Sequence, residues 1–168
     1  LVNPVKEYLL TLKHIETIQR DSINLLASTV ITTDSERWKE YFTRWIVGVC
    51  ANALDDENCS NQICLVLCGE QGKFKTTWLD NLCPKPLNSY LYTGKIDPSN
   101  KDIQTLIAEC FLINIDDQLK ALNKKDENEL KNYISMSKVK YRRPYDVYIE
   151  EYPHLASFMG STNGNDFL

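Results

Sequence analysis

Apolar positions recur at two different spacings along this chain, and the spacing changes near residue 60. Before that point the pattern is helical. Asn3 is placed to cap a helix with Pro4 at its first position, and Val5, Tyr8, Leu9 and Leu12 follow at helical intervals. A second helix is expected through Ile18, Ile23, Leu26 and Val30. The third is the clearest. Asp34 or Ser35 caps it, and Trp38, Tyr41, Phe42, Trp45, Ile46 and Val49 form one broad apolar stripe. Such a stripe serves either a partner or membrane surface or a core, and core packing is the expectation.

From Ile63 the runs shorten. Ile63-Cys64-Leu65-Val66-Leu67-Cys68 is continuous and apolar, as expected of a strand buried on both faces of a parallel sheet. A loop follows over 69–75 and a helix over 76–82. Residues 89–93 read as a strand, 98–109 as a helix, and 110–115 as a second buried strand ending in acids. A helix is expected over 126–136, a β-hairpin over 138–150, and a last strand over 155–161 with the polar exit Thr162-Asn163-Gly164-Asn165. Strands alternating with helices predict an α/β fold with a parallel sheet flanked by helices. The expected division is an N-terminal helical region over 1–60 and an α/β core over 61–168.

The composition, 43% hydrophobic and 25% charged over 168 residues, fits a globular chain able to bury a core. No apolar run approaches the roughly 20 residues of a membrane span. The start, Leu1-Val2-Asn3-Pro4, lacks the basic and apolar regions of a secretory signal, so a cytoplasmic setting is expected. It also lacks an initiator Met, which reads as an excerpt of a longer protein. A net charge of −4 argues against a general nucleic-acid coat, so any such contact must be local. The six cysteines form no C-x-x-C pair. Cys64, Cys68 and Cys110 sit in apolar runs and read as buried structural thiols. A zinc site from Cys59, Cys64 and Cys68 is the alternative, with unsuitable spacing and neither His14 nor His154 near in sequence.

Gly69-Glu70-Gln71-Gly72-Lys73-Phe74-Lys75-Thr76-Thr77 lies between a buried strand and a helix, the context a phosphate loop requires. Backbone N–H groups must curl around a phosphate, and glycines permit the close approach. The helix that follows points its N-terminus at the anion. Lys75 places a full charge on the outer phosphates, and Thr76 offers a hydroxyl to Mg²⁺. Phe74 stands where such loops carry glycine, so its side chain either distorts the loop or covers the nucleotide. The alternative is a strand-to-helix turn with no ligand.

The strand Cys110-Phe111-Leu112-Ile113-Asn114-Ile115-Asp116-Asp117 ends in two carboxylates. In a parallel sheet this end emerges on the same edge as the loop, where ligands bind. Asp116 is the expected Mg²⁺ residue, and Asp117 the residue that orients or deprotonates the attacking water. The two acids serve otherwise as a helix cap. Leu155-Ala156-Ser157-Phe158-Met159-Gly160-Ser161-Thr162-Asn163 reaches the same edge, where Asn163 can bond the water or the γ-phosphate, although Asn-Gly is also turn chemistry.

Lys138-Val139-Lys140-Tyr141-Arg142-Arg143-Pro144-Tyr145 is the densest basic stretch of an acidic chain, interleaved with aromatics. Lys138, Lys140, Tyr141, Arg142 and Arg143 can neutralise phosphates and stack bases of single-stranded DNA. Equally, the cations can pair with Asp146, Glu150 and Glu151. A third option sends Arg142 or Arg143 to a neighbouring subunit's nucleotide.

Together these residues resemble the virulence-associated protein E family. The resemblance rests on Asn3-Pro4-Val5-Lys6-Glu7-Tyr8-Leu9, on Gly69-Glu70-Gln71-Gly72 with Lys75-Thr76-Thr77, and on Ile113-Asn114-Ile115-Asp116-Asp117. Arg143-Pro144-Tyr145 and Ser157-Phe158-Met159-Gly160-Ser161-Thr162-Asn163 with Asp166-Phe167-Leu168 complete it, so nearly the whole chain is spanned. Members are P-loop ATPases similar to superfamily-three helicases, found in phages, plasmids and genomic islands, often beside primase modules. The resemblance implies an AAA+-like P-loop NTPase domain, ATP with Mg²⁺, and DNA work in a homo-oligomeric ring. It places Lys75 and Thr76 in the first motif, Asp116 and Asp117 in the second, and Asn163 at the sensor. Phe74 departs from the family's glycine, and Asp117 from its usual Glu. Further arginines of such ATPases would lie beyond Leu168.

Two functions are therefore expected: a helicase-type Mg-ATPase acting in replication of a mobile element, or a nucleotide-gated or inactive DNA-binding scaffold. A P-loop small-molecule kinase is a weaker third, because no arginine-bearing lid is visible.

Overall fold

Short polar side chains start the helices. The computed structural model describes residues 3–12, 21–55, 61–100, 102–119, 122–141 and 148–164. Asn3 Oδ1 accepts from the N–H groups of Val5 and Lys6 at 3.1 and 3.2 Å, opening α1 (Pro4–Thr11). Asp21 opens α2 (Ser22–Ala27). Asp34, rather than Ser35, opens α3 (Ser35–Leu54), accepting from the Arg37 N–H at 3.0 Å. α2 is shorter than expected: Val30 lies beyond its end, and Ile18 falls outside the described residues.

The chain continues through β1 (Cys64–Gly69), α4 (Lys75–Asp80), a 3-10 helix (Lys85–Tyr90), β2 (Leu91–Gly94), α5 (Asp102–Glu109) and β3 (Leu112–Asp116). It then forms α6 (Lys124–Ser135), β4 (Lys138–Tyr141), β5 (Glu150–Pro153) and β6 (Ser157–Asn163). Ser89 and Tyr90, expected in a strand, belong to the 3-10 helix, whose first turn holds a proline with φ preset for a helical turn. The hairpin expected over 138–150 is the antiparallel pair β4–β5, whose second strand begins only at Glu150 and runs to Pro153. The main sheet has four parallel strands in the order β1-β6-β3-β2. Helices flank it, giving the expected α/β class.

Alternation along the strands feeds two cores. Leu65, Leu67, Leu112 and Met159 face Trp38, Phe42, Trp45 and Val49 of α3 and Leu79 of α4. Ile113, Ile115 and Phe158 face the other way, against Ile103 and Ile107 of α5, Leu130 and Ile134 of α6, and the hairpin residues Val139, Tyr141 and Tyr152. The α3 stripe is thus core, with Tyr41 its exposed exception. Trp45 Nε1 donates to the Phe158 carbonyl at 3.0 Å, tying α3 to β6. Trp38 and Phe42 also stand 5.9 and 5.6 Å from Trp78 of α4, so α4 leans on α3.

Two burial expectations change. β1 is an edge strand, so Leu65 and Leu67 are buried while Val66 is half-buried and Cys68 exposed. Full burial belongs instead to β3 and β6, the interior strands. Cys64 and Cys110 are half-buried. Loss of hydration still pushes their thiols up to about 12 and about 11, so both stay protonated at neutral pH. Cys59 and His14 lie outside the described residues. Among the described residues no helix is long and apolar enough to cross a membrane.

Candidate functional site

Parallel pairing brings three distant segments to one sheet edge. Gly69 at the end of β1 is opposite Asn163 at the end of β6, and Asp116 at the end of β3 is opposite Ser161. The loop then returns the chain into α4, which packs across the same ends.

Lys75 Nζ donates to the carbonyls of Gly69 and Glu70 at 2.9 and 2.7 Å and to Asn163 Oδ1 at 3.2 Å. Thr76 Oγ1 donates to Asp116 Oδ1 at 2.8 Å. Asn163 turns its remaining donors on Asp117: its N–H meets Oδ1 at 3.1 Å and its Nδ2 meets Oδ2 at 2.8 Å. Lys75, Asn163 and Asp117 therefore form one hydrogen-bonded chain beside the Thr76–Asp116 pair. Among the described residues neither acid caps α6, which is capped by Asn123.

Ser161 belongs to this group, although no sequence pattern singles it out. It is buried, its Oγ stands 3.0 Å from Thr76 Oγ1, and it donates to Asp116 Oδ1 at 3.3 Å. The available signal was parity: Ser161 lies two residues before Asn163 on one strand and so shares its face. One carboxylate and two hydroxyls converge here. Hard oxygen donors in this number suit Mg²⁺, which keeps several waters and takes only one or two carboxylates from protein.

The rest of the loop is open. Glu70, Gln71, Gly72, Lys73 and Thr77 are exposed, with Lys73 and Glu70 paired at 3.5 Å on the surface. Gly72 has φ 82°, a conformation that glycine adopts freely. Phe74 has φ 56° and ψ 25° and is 78% exposed. It occupies the left-handed conformation a glycine would favour, and its ring points to solvent. Asp117, at φ 44°, is the other non-glycine residue with positive φ among those described. Backbone strain of about 1–3 kcal/mol per residue persists where surrounding contacts enforce it, often at functional sites.

The hairpin residues divide by face. Lys138 and Lys140 are exposed and share Glu151, at 3.0 and 3.5 Å. Both lysines hold the Glu151 carboxyl below its usual range, chiefly through the Lys138 hydrogen bond. Tyr141, expected to stack on bases, points the other way. It is 7% exposed, its ring lies 4.7 Å from that of Tyr152, and its hydroxyl donates to Glu109 Oε1 at 2.9 Å. Period-two alternation puts Val139 and Tyr141 on the core face, so this ring is spent on packing. Arg142, Arg143, Pro144 and Tyr145 lie outside the described residues, as do Asp166, Phe167 and Leu168.

Comparison with solved structures finds, among others, structures of the NrS-1 C-terminal region. One, an apo A form, superposes with a TM-score of 0.61 at 14% identity, covering 90% of this chain and 35% of the other. A second apo structure (305–718) gives 0.61 at 13%, covering 86% and 34%. At this identity the likeness shows a shared fold, and this chain spans about a third of the length of those relatives. No curated protein matches significantly. The virulence-associated protein E-like domain model matches residues 12–168, nearly the whole chain, and the protein belongs to that family.

Proposed function

We propose that this chain is the Mg-ATP-binding part of a helicase-type P-loop ATPase that works on DNA during replication of a mobile element. The observation that carries this reading is the 2.8 Å bond between Thr76 Oγ1 and Asp116 Oδ1, with Lys75 and Asn163 in contact beside it. Loop, acid and polar strand end meet with the side-chain chemistry that a metal-bound triphosphate requires. Family membership adds the replication-related, helicase-like theme.

Each residue has a distinct task. Lys75 exchanges its loop carbonyls for the outer phosphates. Thr76 and Asp116, with Ser161 against both, present oxygens to Mg²⁺. When bound there, Mg²⁺ would supply neutralisation of the phosphate charge. Asp117 is the proton acceptor for the attacking water, and Asn163 holds its carboxylate in place. The exposed Lys138 and Lys140 form a basic strip for single-stranded DNA, and a homo-oligomeric ring would set several such strips around one strand.

The second reading, a nucleotide-gated module with little hydrolysis, draws on one observation. Both Asp117 oxygens already accept from Asn163, leaving fewer lone pairs for a water. Turnover decides between them. In the full-length protein, Asp117→Asn should keep Mg-ATP affinity and lose most hydrolysis, which single-stranded DNA should stimulate in the parent. A parent that binds ATP without turnover selects the gated module. A parent that does not bind ATP overturns the site.

A further inference from the structure

Asn114 is a polar residue where a parallel strand normally carries Val, Ile or Leu. It is 0% exposed in the middle of β3, and its Oδ1 is buried with no protein partner among the described residues. An apolar side chain of the same size would avoid the desolvation of that oxygen, a cost of about 1–3 kcal/mol. The amide nitrogen accounts for its presence. Nδ2 donates to Asp80 Oδ1 at 2.7 Å and to the Thr76 carbonyl at 3.3 Å. Thr76 and Asp80 lie at opposite ends of α4, a helix of 6 residues. Asp80 Oδ1 also accepts from Thr93 Oγ1 of β2 at 2.6 Å. One buried amide thus grips both ends of the phosphate-loop helix, and β2 holds the same carboxylate from the other side.

Asn114 precedes Asp116 by two residues on one strand, so both side chains leave the same face of the sheet. The residue that Asn114 grips by its backbone, Thr76, is the one whose hydroxyl meets Asp116. We propose that Asn114, through Asp80 and Thr93, is a positioning residue that sets the separation of the Thr76 hydroxyl from the Asp116 carboxylate and so the metal response of the site. The metal response rests on the Mg-ATP reading above, whereas the separation is a property of the ligand-free protein. A position shift of about 1 Å suffices to cost up to about a hundredfold in an assembled site.

The test uses the full-length protein and three substitutions. Asn114→Leu keeps the volume and removes both donors. Asp80→Ala breaks the same tether from the half-buried helix side, and remains readable if Asn114→Leu does not fold. Asp80→Asn keeps an accepting Oδ1 for both partners. Crystal structures of the ligand-free variants report the Thr76 Oγ1 to Asp116 Oδ1 distance. Titrations of ATP binding against Mg²⁺, and in EDTA, report the function. In Asn114→Leu and Asp80→Ala the 2.8 Å bond should be lost, and the Mg²⁺ concentration for half-maximal ATP binding should rise about tenfold, within the range that such misplacement spans. Affinity in EDTA should stay at the parental value, and Asp80→Asn should behave as the parent. A residue that merely stabilised the fold would lower the melting temperature without moving the Mg²⁺ response. Retention of the bond in Asn114→Leu or Asp80→Ala, a parental Mg²⁺ response in both, or Asp80→Asn behaving like Asp80→Ala would overturn the tether. A parent that fails to bind Mg-ATP overturns the functional reading instead, and the crystallographic distance alone then decides the tether.

Discussion

Replacing Lys75 by alanine removes one positive charge from a position now surrounded by three acceptors. Nζ donates to Gly69 O, Glu70 O and Asn163 Oδ1 at 2.9, 2.7 and 3.2 Å, so an outer phosphate is met only when some of these bonds are surrendered. The attraction of an ammonium for one phosphate charge at about 4 Å is about 4 kcal/mol at an effective dielectric near 20. Against it stands about 1.5–3 kcal/mol for hydrogen bonds from a charged donor. The difference, about 1–3 kcal/mol, corresponds to about a ten- to hundredfold weaker affinity for ATP in Lys75→Ala. On the proposed placement of the lysine at the outer phosphates, the loss should be largest for ATP, smaller for ADP and least for AMP. Calorimetric titration of the three nucleotides measures it, with circular dichroism and melting to show that the variant is folded. An unchanged ATP affinity in a folded Lys75→Ala protein would refute the placement of phosphates at this lysine.

The two faces of the hairpin predict opposite phenotypes. Lys138→Ala with Lys140→Ala should flatten the salt dependence of single-stranded DNA binding by roughly 0.7 for each phosphate contact removed. An unchanged slope in fluorescence anisotropy would leave both lysines as partners of Glu151 alone. Tyr141→Ala should leave that slope intact and cost about 3 kcal/mol in urea unfolding, because it empties a buried aromatic site. Burial holds the His154 imidazole below its ordinary value of 6.5, with hydrogen bonds to Met136 and Ala156 opposing the shift. The unfolded chain therefore binds a proton first, and stability should fall as the pH drops below about 6.5, by at most about 1.4 kcal/mol per pH unit until the folded form is protonated too. Equal loss of stability between pH 7.5 and 5.5 in the parent and in His154→Gln, by chemical denaturation, would remove His154 from that account.

Much of the fold was legible because its causes are local. Asn3 and Asp34 cap helices through bonds reaching two or three residues, and the α3 stripe repeats at the period of a single helix. The segment from β1 through the loop to Thr76 is contiguous, so its grammar could be read without knowing its neighbours. Residues 116 and 163 were assigned to one edge by a single topological rule, that parallel strands end together.

What the tertiary structure decided depends on neighbours that are remote in sequence. Cys68 is exposed though it ends an apolar run, and Thr162 is buried though it opens a polar one near the same sheet edge. The strand order β1-β6-β3-β2 leaves β1 at the edge and encloses β6, and no local pattern encodes that order. Tyr141 and Lys140 are adjacent, yet one enters the core and the other meets solvent, because the face of a strand is set by what packs on it, here Tyr152 and Glu109. The sequence alone nominated Lys75, Thr76, Asp116, Asp117 and Asn163 for the candidate site, since each carries a side chain with evident chemistry at a strand or loop end. Ser161 and Asn114 are chemically unremarkable in the sequence. They join the candidate site only when parallel pairing sets Ser161 opposite Asp116 and when α4 lies across Asn114, contacts over 45, 34 and 38 residues that short-range periodicity cannot carry.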